Sequence, residues 1–297
     1  MKIAKIKLLS SMFIFGTIGL FVKFIPIDSA LLACLRGFIG GLFLIAFMAI
    51  GRKPVTKSEI KNNLLLLILS GAAIGVNWVL LFESYRYTTV ATATLCYYME
   101  PVIVVLVSPL LFKEKIGLKK GICVLIAFVG MVLVSGITNN SGSGAKDFKG
   151  ILFGLGAAVL YATAVCMNKF IRDISTYTKT SVQLLAAAIV LVPYLIAKNV
   201  GFDVTTTDNI MLVIILVAFV GIVHTGVAYA LFFGSADKLP AQTIALMGYI
   251  DPVVAILLSV FVLKENIEIP AVVGAVLVLM ATAASEIDFT HKEGEKA

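Results

Sequence analysis

Two short stretches of this chain have the residue types and spacing to do chemistry. Tyr97-Tyr98-Met99-Glu100-Pro101 and Gly248-Tyr249-Ile250-Asp251-Pro252 each set an acid directly before a proline, inside an otherwise apolar run. A carboxylate at membrane depth costs on the order of several kcal/mol unless it faces protein or water, so its presence needs a reason. The proline deletes one helical hydrogen bond and frees a carbonyl about a turn earlier, and freed carbonyls suit the lining of a polar cavity. A single proline in a membrane span is ordinarily no more than a kink. Recurrence of acid plus proline at corresponding places points instead to a central functional site. Two carboxylates in a low-dielectric cavity resist being ionised together, so a protonatable site that couples to protons is one chemistry. Recognition of an amine, with one acid kept charged as its counter-ion, is a second. A static ion pair with Lys23, Arg36 or His224 is the third.

The recurrence extends well beyond the acids. Laid on each other without a gap, residues 84–116 and 235–267 share Ser84/Ser235, Thr92/Thr243, Leu95/Leu246, Tyr98/Tyr249, Pro101/Pro252, Val102/Val253, Leu106/Leu257, Ser108/Ser259, Lys113/Lys264, Glu114/Glu265 and Ile116/Ile267. Lys113-Glu114 and Lys264-Glu265 close corresponding runs and read as boundary markers with a local ion pair, of small weight if solvated. The same register sets Trp78 opposite Tyr229. With Asn77, Tyr97, Tyr98 and Tyr249 these residues are candidates for the walls of a binding cavity, where flat rings contribute area and polar edges fix orientation. Each has the plainer alternative of packing. His224 could titrate near neutral pH, although a single buried histidine is more often a hydrogen-bonding link between helices. Lys23 and Arg36 are expected near the outer face, either attracting an anionic group or snorkelling to lipid headgroups.

The elements that position these residues follow from composition. With 297 residues, 60% hydrophobic, 14% charged and a mean hydropathy of +1.04, the chain is expected to be an all-α polytopic membrane protein. The net charge of +7 could suggest nucleic acid, but the basic residues lie between apolar runs, so no nucleic-acid partner is expected. Cys34, Cys96, Cys123 and Cys166 stand singly in apolar stretches, without metal-ligand spacing, so neither a metal nor a disulfide frame is expected, and no cofactor. Runs long enough to cross a bilayer fall at 8–25, 30–50, 64–83, 90–112, 121–138, 150–168, 181–198, 210–233, 241–263 and 270–286, ten in all. The first is preceded by Lys2, Lys5 and Lys7 but has no cleavage site after it, so it reads as a retained helix.

If the N-terminus is cytoplasmic, seventeen of the 24 basic residues fall in cytoplasmic segments, six in outer ones, and Arg36 lies within the second span. That bias orients the chain in the cell membrane with both termini inside. The polar stretch 138–149 reads as a connector between a first repeat at 1–137 and a second at 150–286, ahead of a polar cytoplasmic tail at 287–297. Five spans is an odd number, so the second repeat enters the membrane from the opposite side, and the ten transmembrane helices form two inverted five-helix repeats. Gly37/Gly41 and Gly71/Gly75 have the spacing that lets helices approach closely, and small-residue faces on the fifth and tenth spans would permit a homodimer.

In these features the chain resembles the drug/metabolite transporter superfamily, and within it the EamA-type ten-helix permeases. The residues that carry the resemblance are the two five-span halves, Arg36-Gly37-Phe38 in the second span, and a proline in the fourth and ninth spans followed by a glutamate: Pro101 with Glu114, Pro252 with Glu265. The resemblance implies an inner-membrane carrier working by alternating access, its cavity between the halves. The expected activity is secondary transport, in the export direction, of small metabolites such as amino acids, with protons as coupling partner through Glu100 and Asp251. There is no glycine-rich phosphate loop for direct ATP coupling. An intramembrane hydrolase using the two acids as a dyad, and a passive channel, are the competing readings, and the chain is expected not to be an enzyme.

Overall fold

The computed structural model describes residues 2–51, 57–112, 117–134, 144–200, 209–236, 238–239 and 247–286. The Lys113-Glu114 pair, connector residues 138–143, the start of the ninth span at 241–246, and the tail from 287 lie outside the described residues. Among the described residues every element is helical. The helices are α1 (Lys2–Gly16), α2 (Ile18–Lys23), α3 (Ser29–Ile50), α4 (Lys57–Tyr87), α5 (Val90–Tyr97), α6 (Glu100–Phe112), α7 (Leu118–Val134), α8 (Gly144–Asn168) and α9 (Thr176–Ala197). There follow α10 (Ile210–Phe219), a π-helical segment (Val220–Val227), α11 (Ala228–Ala236), α12 (Ile250–Phe261) and α13 (Ile269–Glu286).

Local chemistry sets several of the boundaries. Asp28 caps α3 by accepting the Ala30 N–H at 2.7 Å, Thr89 caps α5 from Thr92 at 3.0 Å, and Ser175 caps α9 from Thr178 at 3.1 Å. Asp28 also accepts from the Leu31 N–H at 3.3 Å, and each cap satisfies at least one of the donors that a helix start leaves open.

Among the described residues seven helical runs are long and apolar enough to cross a membrane: 2–23, 29–50, 58–87, 90–111, 147–168, 176–197 and 210–235. Three shorter apolar helices, at 121–133, 250–261 and 269–281, lie in the regions of the other three expected spans. Large apolar side chains such as Leu65, Leu125, Ile189 and Ile196 face outward, as a lipid environment requires and water would penalise. The chain is a polytopic helical membrane protein.

The helices pack through small residues. α9 is wedged between α3 and α4, with Gly37 and Gly41 against Leu184 and Leu185 on one side and Gly71 and Gly75 against Gln183 and Ala187 on the other. A Cβ at Gly75 would stand 2.8 Å from the Ala187 carbonyl oxygen, whereas one at Gly121 would meet nothing within 4 Å. Gly75→Ala is therefore expected to cost about 1–3 kcal/mol by forcing α4 from α9, and Gly121→Ala to be neutral, read as thermal melts in detergent. Equal stabilities would refute the close packing of these helices. Elsewhere α4 packs on α8, α1 on α11 and α12, α3 on the π-helical segment, α5 and α6 on α8, and α5 on α12. The shorter helices α7 and α13 pair with each other, and Gly130 meets the Gly274 carbonyl there, so small residues on both are used within one chain.

Candidate functional site

The fourth apolar run is not one helix. Its first part ends at Tyr97, the chain turns through Tyr98 and Met99, and α6 resumes at Glu100 with Pro101 in its first turn. A proline there forfeits little, because first-turn N–H groups have no intrahelical acceptor. In the ninth run α12 likewise begins just after Tyr249, with Asp251 and Pro252 in its first turn. Each acid thus sits at a helix start, where the aligned peptide dipoles favour negative charge. Packing of α5 on α12 brings the two breaks together. The Tyr98 hydroxyl reaches the Gly248 carbonyl at 3.4 Å and lies beside the Asp251 carboxylate.

Tyrosines surround the breaks. Tyr97 and Tyr161 have ring centroids 5.4 Å apart, and Tyr229 stacks on Phe233 at 5.6 Å with 8° between the planes. Asp251 acts electrostatically on Tyr85, Tyr97, Tyr98, Tyr161 and Tyr229, and Glu100 acts on Tyr97 and Tyr161, so the two acids share neighbours. Tyr97, Tyr98, Tyr161, Tyr229 and Asp251 are all partly buried, and the carboxylate acts on each of the four rings. The cluster they form is hydroxyl-rich, aromatic and acidic, the make-up of a polar site within an apolar bundle.

Arg36 borders the same cluster. Sequence reasoning put it near the outer face as a snorkelling or anion-attracting group; instead it is turned inward and only 4% exposed, so it does not reach headgroups. Its Nε donates to the Thr225 hydroxyl at 2.8 Å, and its guanidinium carbon stands 4.1 Å from the centroid of the Trp78 ring, a cation–π distance. The Thr225 hydroxyl passes a hydrogen bond on to the Val220 carbonyl at 3.2 Å, five residues back, in the π-helical register. π-helical turns are rare and often lie at functional places. One residue earlier, His224 is buried with its Nε2 2.8 Å from the Thr17 hydroxyl, at the bend between α1 and α2. It acts as a helix-to-helix link. Asn77 donates to the Ala157 carbonyl at 2.5 Å, joining α4 to α8 next to Trp78.

Lys23 is engaged elsewhere. Its ammonium lies 3.1 Å from Oε1 of Glu265 and 3.3 Å from the Thr88 carbonyl that it donates to. The other oxygen of Glu265 accepts the Val90 N–H at 2.9 Å and a short hydrogen bond from the Ser259 hydroxyl. Lys264, by contrast, is exposed, with a left-handed φ of 56° that turns it away. The expectation of a local Lys264-Glu265 boundary pair is thus corrected for Glu265: it is only 14% exposed and ties the ends of α2 and α12 to the start of α5. Beside this tie opens a pocket of about 580 Å³ lined by Lys23, Ile25, Asp28, Tyr85 and Arg86, and Tyr85 on its wall also feels the charge of Asp251.

Glu265 and Thr225 are the functional candidates that sequence reasoning undervalued. Recurrence of Glu114 and Glu265 was a visible signal, but no spacing rule connects Lys23 or Val90 to them.

The family model of the EamA-like transporter family matches residues 2–136 and 148–285. A Bacillus subtilis (strain 168) protein named "Uncharacterized transporter YxxF" is 33% identical over 257 residues, 86% of this chain and 80% of its own length. "Protein PecM" of Dickeya dadantii (strain 3937) is 24% identical over 263 residues, 87% of this chain and 84% of that protein. A protein of known crystal structure superposes with a TM-score of 0.65 at 18% identity, covering 95% of this chain and 97% of the other, which shows a shared fold. Twice matched along its length, with a 33% identical relative named a transporter, the chain belongs to the EamA-like transporter family of membrane transporters.

Proposed function

We propose that this protein is a secondary transporter that exports small metabolites such as amino acids across the cytoplasmic membrane by alternating access, with proton movement coupled through Glu100 and Asp251. The observation that carries this reading is the packing of α5 on α12, which gathers two acid-bearing helix breaks around shared tyrosines. Broken helices at the midplane, with their dipole ends aimed at the cargo, are how inverted-repeat carriers hold substrates and ions.

The division into two inverted repeats of five spans, 1–137 and 150–286, has support in the packing. Shifting every helix by five spans turns the pair α4–α8 into α11–α1, α4–α9 into the π segment with α3, and α6–α8 into α1–α12, all of which are observed. The pairs α3–α9, α5–α12 and α7–α13 map onto themselves. In the proposed orientation, both termini are cytoplasmic, as the bias of basic residues favours, and the Lys23–Glu265 tie closes the outer end.

The test is flux in proteoliposomes under an imposed pH gradient, with a pH-sensitive dye inside and pools of amino acids, amines, sugars and nucleosides outside. Proton movement triggered by one pool is the expected result. Saturable flux without proton movement would remove the coupling role from the acids, and no flux of any pool would remove the carrier, as a hydrolase in empty vesicles moves nothing.

A further inference from the structure

Arg36 is a charged residue that the fold buries without an ionic partner among the described residues. Among the described residues no carboxylate lies within 4 Å of the guanidinium: Lys23 has Glu265 and Arg86 has Glu83, while the contacts of Arg36 are the Thr225 hydroxyl and the rings of Trp78 and Phe82. A buried cation held only by a neutral hydroxyl and π faces remains undercompensated. Asp251 acts on it electrostatically without closing an ion pair.

The corresponding place on α9 shows what a merely structural residue does there. Gln183 is also buried and faces across to α4, but it is neutral and its amide is taken up by Ser70 at 2.7 Å and Asn168 at 2.8 Å. A neutral amide suffices to fasten helices at this level, so the charge of Arg36 answers to something besides fastening.

Building on the transport reading, we propose that Arg36 is the anion-binding residue of the transport site and selects substrates bearing a carboxylate. The planar guanidinium, held 4.1 Å from the Trp78 ring centroid with Nε fixed by Thr225, leaves its terminal nitrogens to meet a carboxylate, the geometry that arginine recognises best. Phosphate monoesters share the oxyanion chemistry, but a dianion beside a single guanidinium would also face the charge of Asp251. A monoanion fits that balance of charge. The acids then stand where a positively charged part of the same substrate can lie.

Trp78 is the chain's single tryptophan, so its fluorescence reports on this site without labelling. Purified protein in detergent is titrated with a set of amino acids, the amines left by removing their carboxylates, and phosphate monoesters of small alcohols. The expected result is a saturable change in Trp78 emission with one or more amino acids and none with the matching amines or the phosphates. Arg36→Lys, its folding verified by thermal melting, keeps the charge, loses the fork, and is expected to raise the apparent Kd at least about tenfold. Amines or phosphates that shift Trp78 as well as amino acids do, or an Arg36→Lys protein that binds like the parent, would overturn the assignment. The two readings fail separately: amine flux in vesicles with no carboxylate response at Trp78 keeps the carrier and removes the Arg36 site, whereas a carboxylate response without flux keeps the site and removes the carrier.

Discussion

Glu100→Gln is expected to abolish proton-driven uptake in proteoliposomes, a loss of at least about a hundredfold, while solute exchange at equal pH on both sides persists in part. The reasoning rests on where the acid sits. Glu100 opens α6 at the helix break and acts on Tyr97 and Tyr161, two rings that also feel Asp251 from the start of α12. Glutamine preserves the shape and much of the hydrogen bonding of that place but cannot exchange a proton, so it separates coupling from binding. Asp251→Asn is expected to give a similar defect, and the double variant one no larger than either alone, since groups that share neighbours are non-additive when they act as a unit. The loss corresponds to about 2.8 kcal/mol or more, well above the few tenths that independent sites deviate from additivity. Equal loss of exchange and uptake would make the acids binding or folding residues. Full additivity of the two substitutions would give them separate roles.

How much of this site could be read from the chain depends on the range of the contact. The acid–proline pairs, the recurrence of segments 84–116 and 235–267 and the small-residue steps at Gly37/Gly41 and Gly71/Gly75 are local patterns, and local chemistry decides helix starts and close packing. Spacing could not say which face of its helix Arg36 presents: on an apolar helix of uniform hydrophobicity, an arginine seven residues past the helix start can as readily reach headgroups as turn inward. Its inward turn is decided by Thr225, which lies 189 residues away and is itself re-aimed by a π-helical turn that no periodicity predicts. Glu265 was misread for the same reason. Beside Lys264 in sequence, it pairs with Lys23 across the fold, because the left-handed backbone at Lys264 sends the two side chains apart.

Glu265→Ala is expected to open the end of the bundle that holds Lys23. This carboxylate accepts from an ammonium, a backbone N–H at the start of α5 and a serine hydroxyl, joining three helix ends at one group. Removing one member of a fully buried pair costs about 3–5 kcal/mol; here Lys23 is 29% exposed and can turn to water, so the cost falls short of that and is paid by local parting of the ends. Ile25, a buried wall residue of the neighbouring pocket, is the place to read it. A cysteine at Ile25 should react with a membrane-impermeant maleimide at least about tenfold faster in the Glu265→Ala background than in the parent, a shift of about 1.4 kcal/mol in the opening equilibrium. Glu265→Gln should fall between, because an amide oxygen still accepts from Val90 but no longer attracts Lys23. The decisive case is the charge swap Lys23→Glu with Glu265→Lys. A tie that were only an ion pair would be restored by it. Since an ammonium at 265 cannot accept the Val90 N–H, the swap is expected to leave Ile25→Cys as reactive as in Glu265→Ala, and recovery of the slow parental rate would reduce the tie to a simple charge pair.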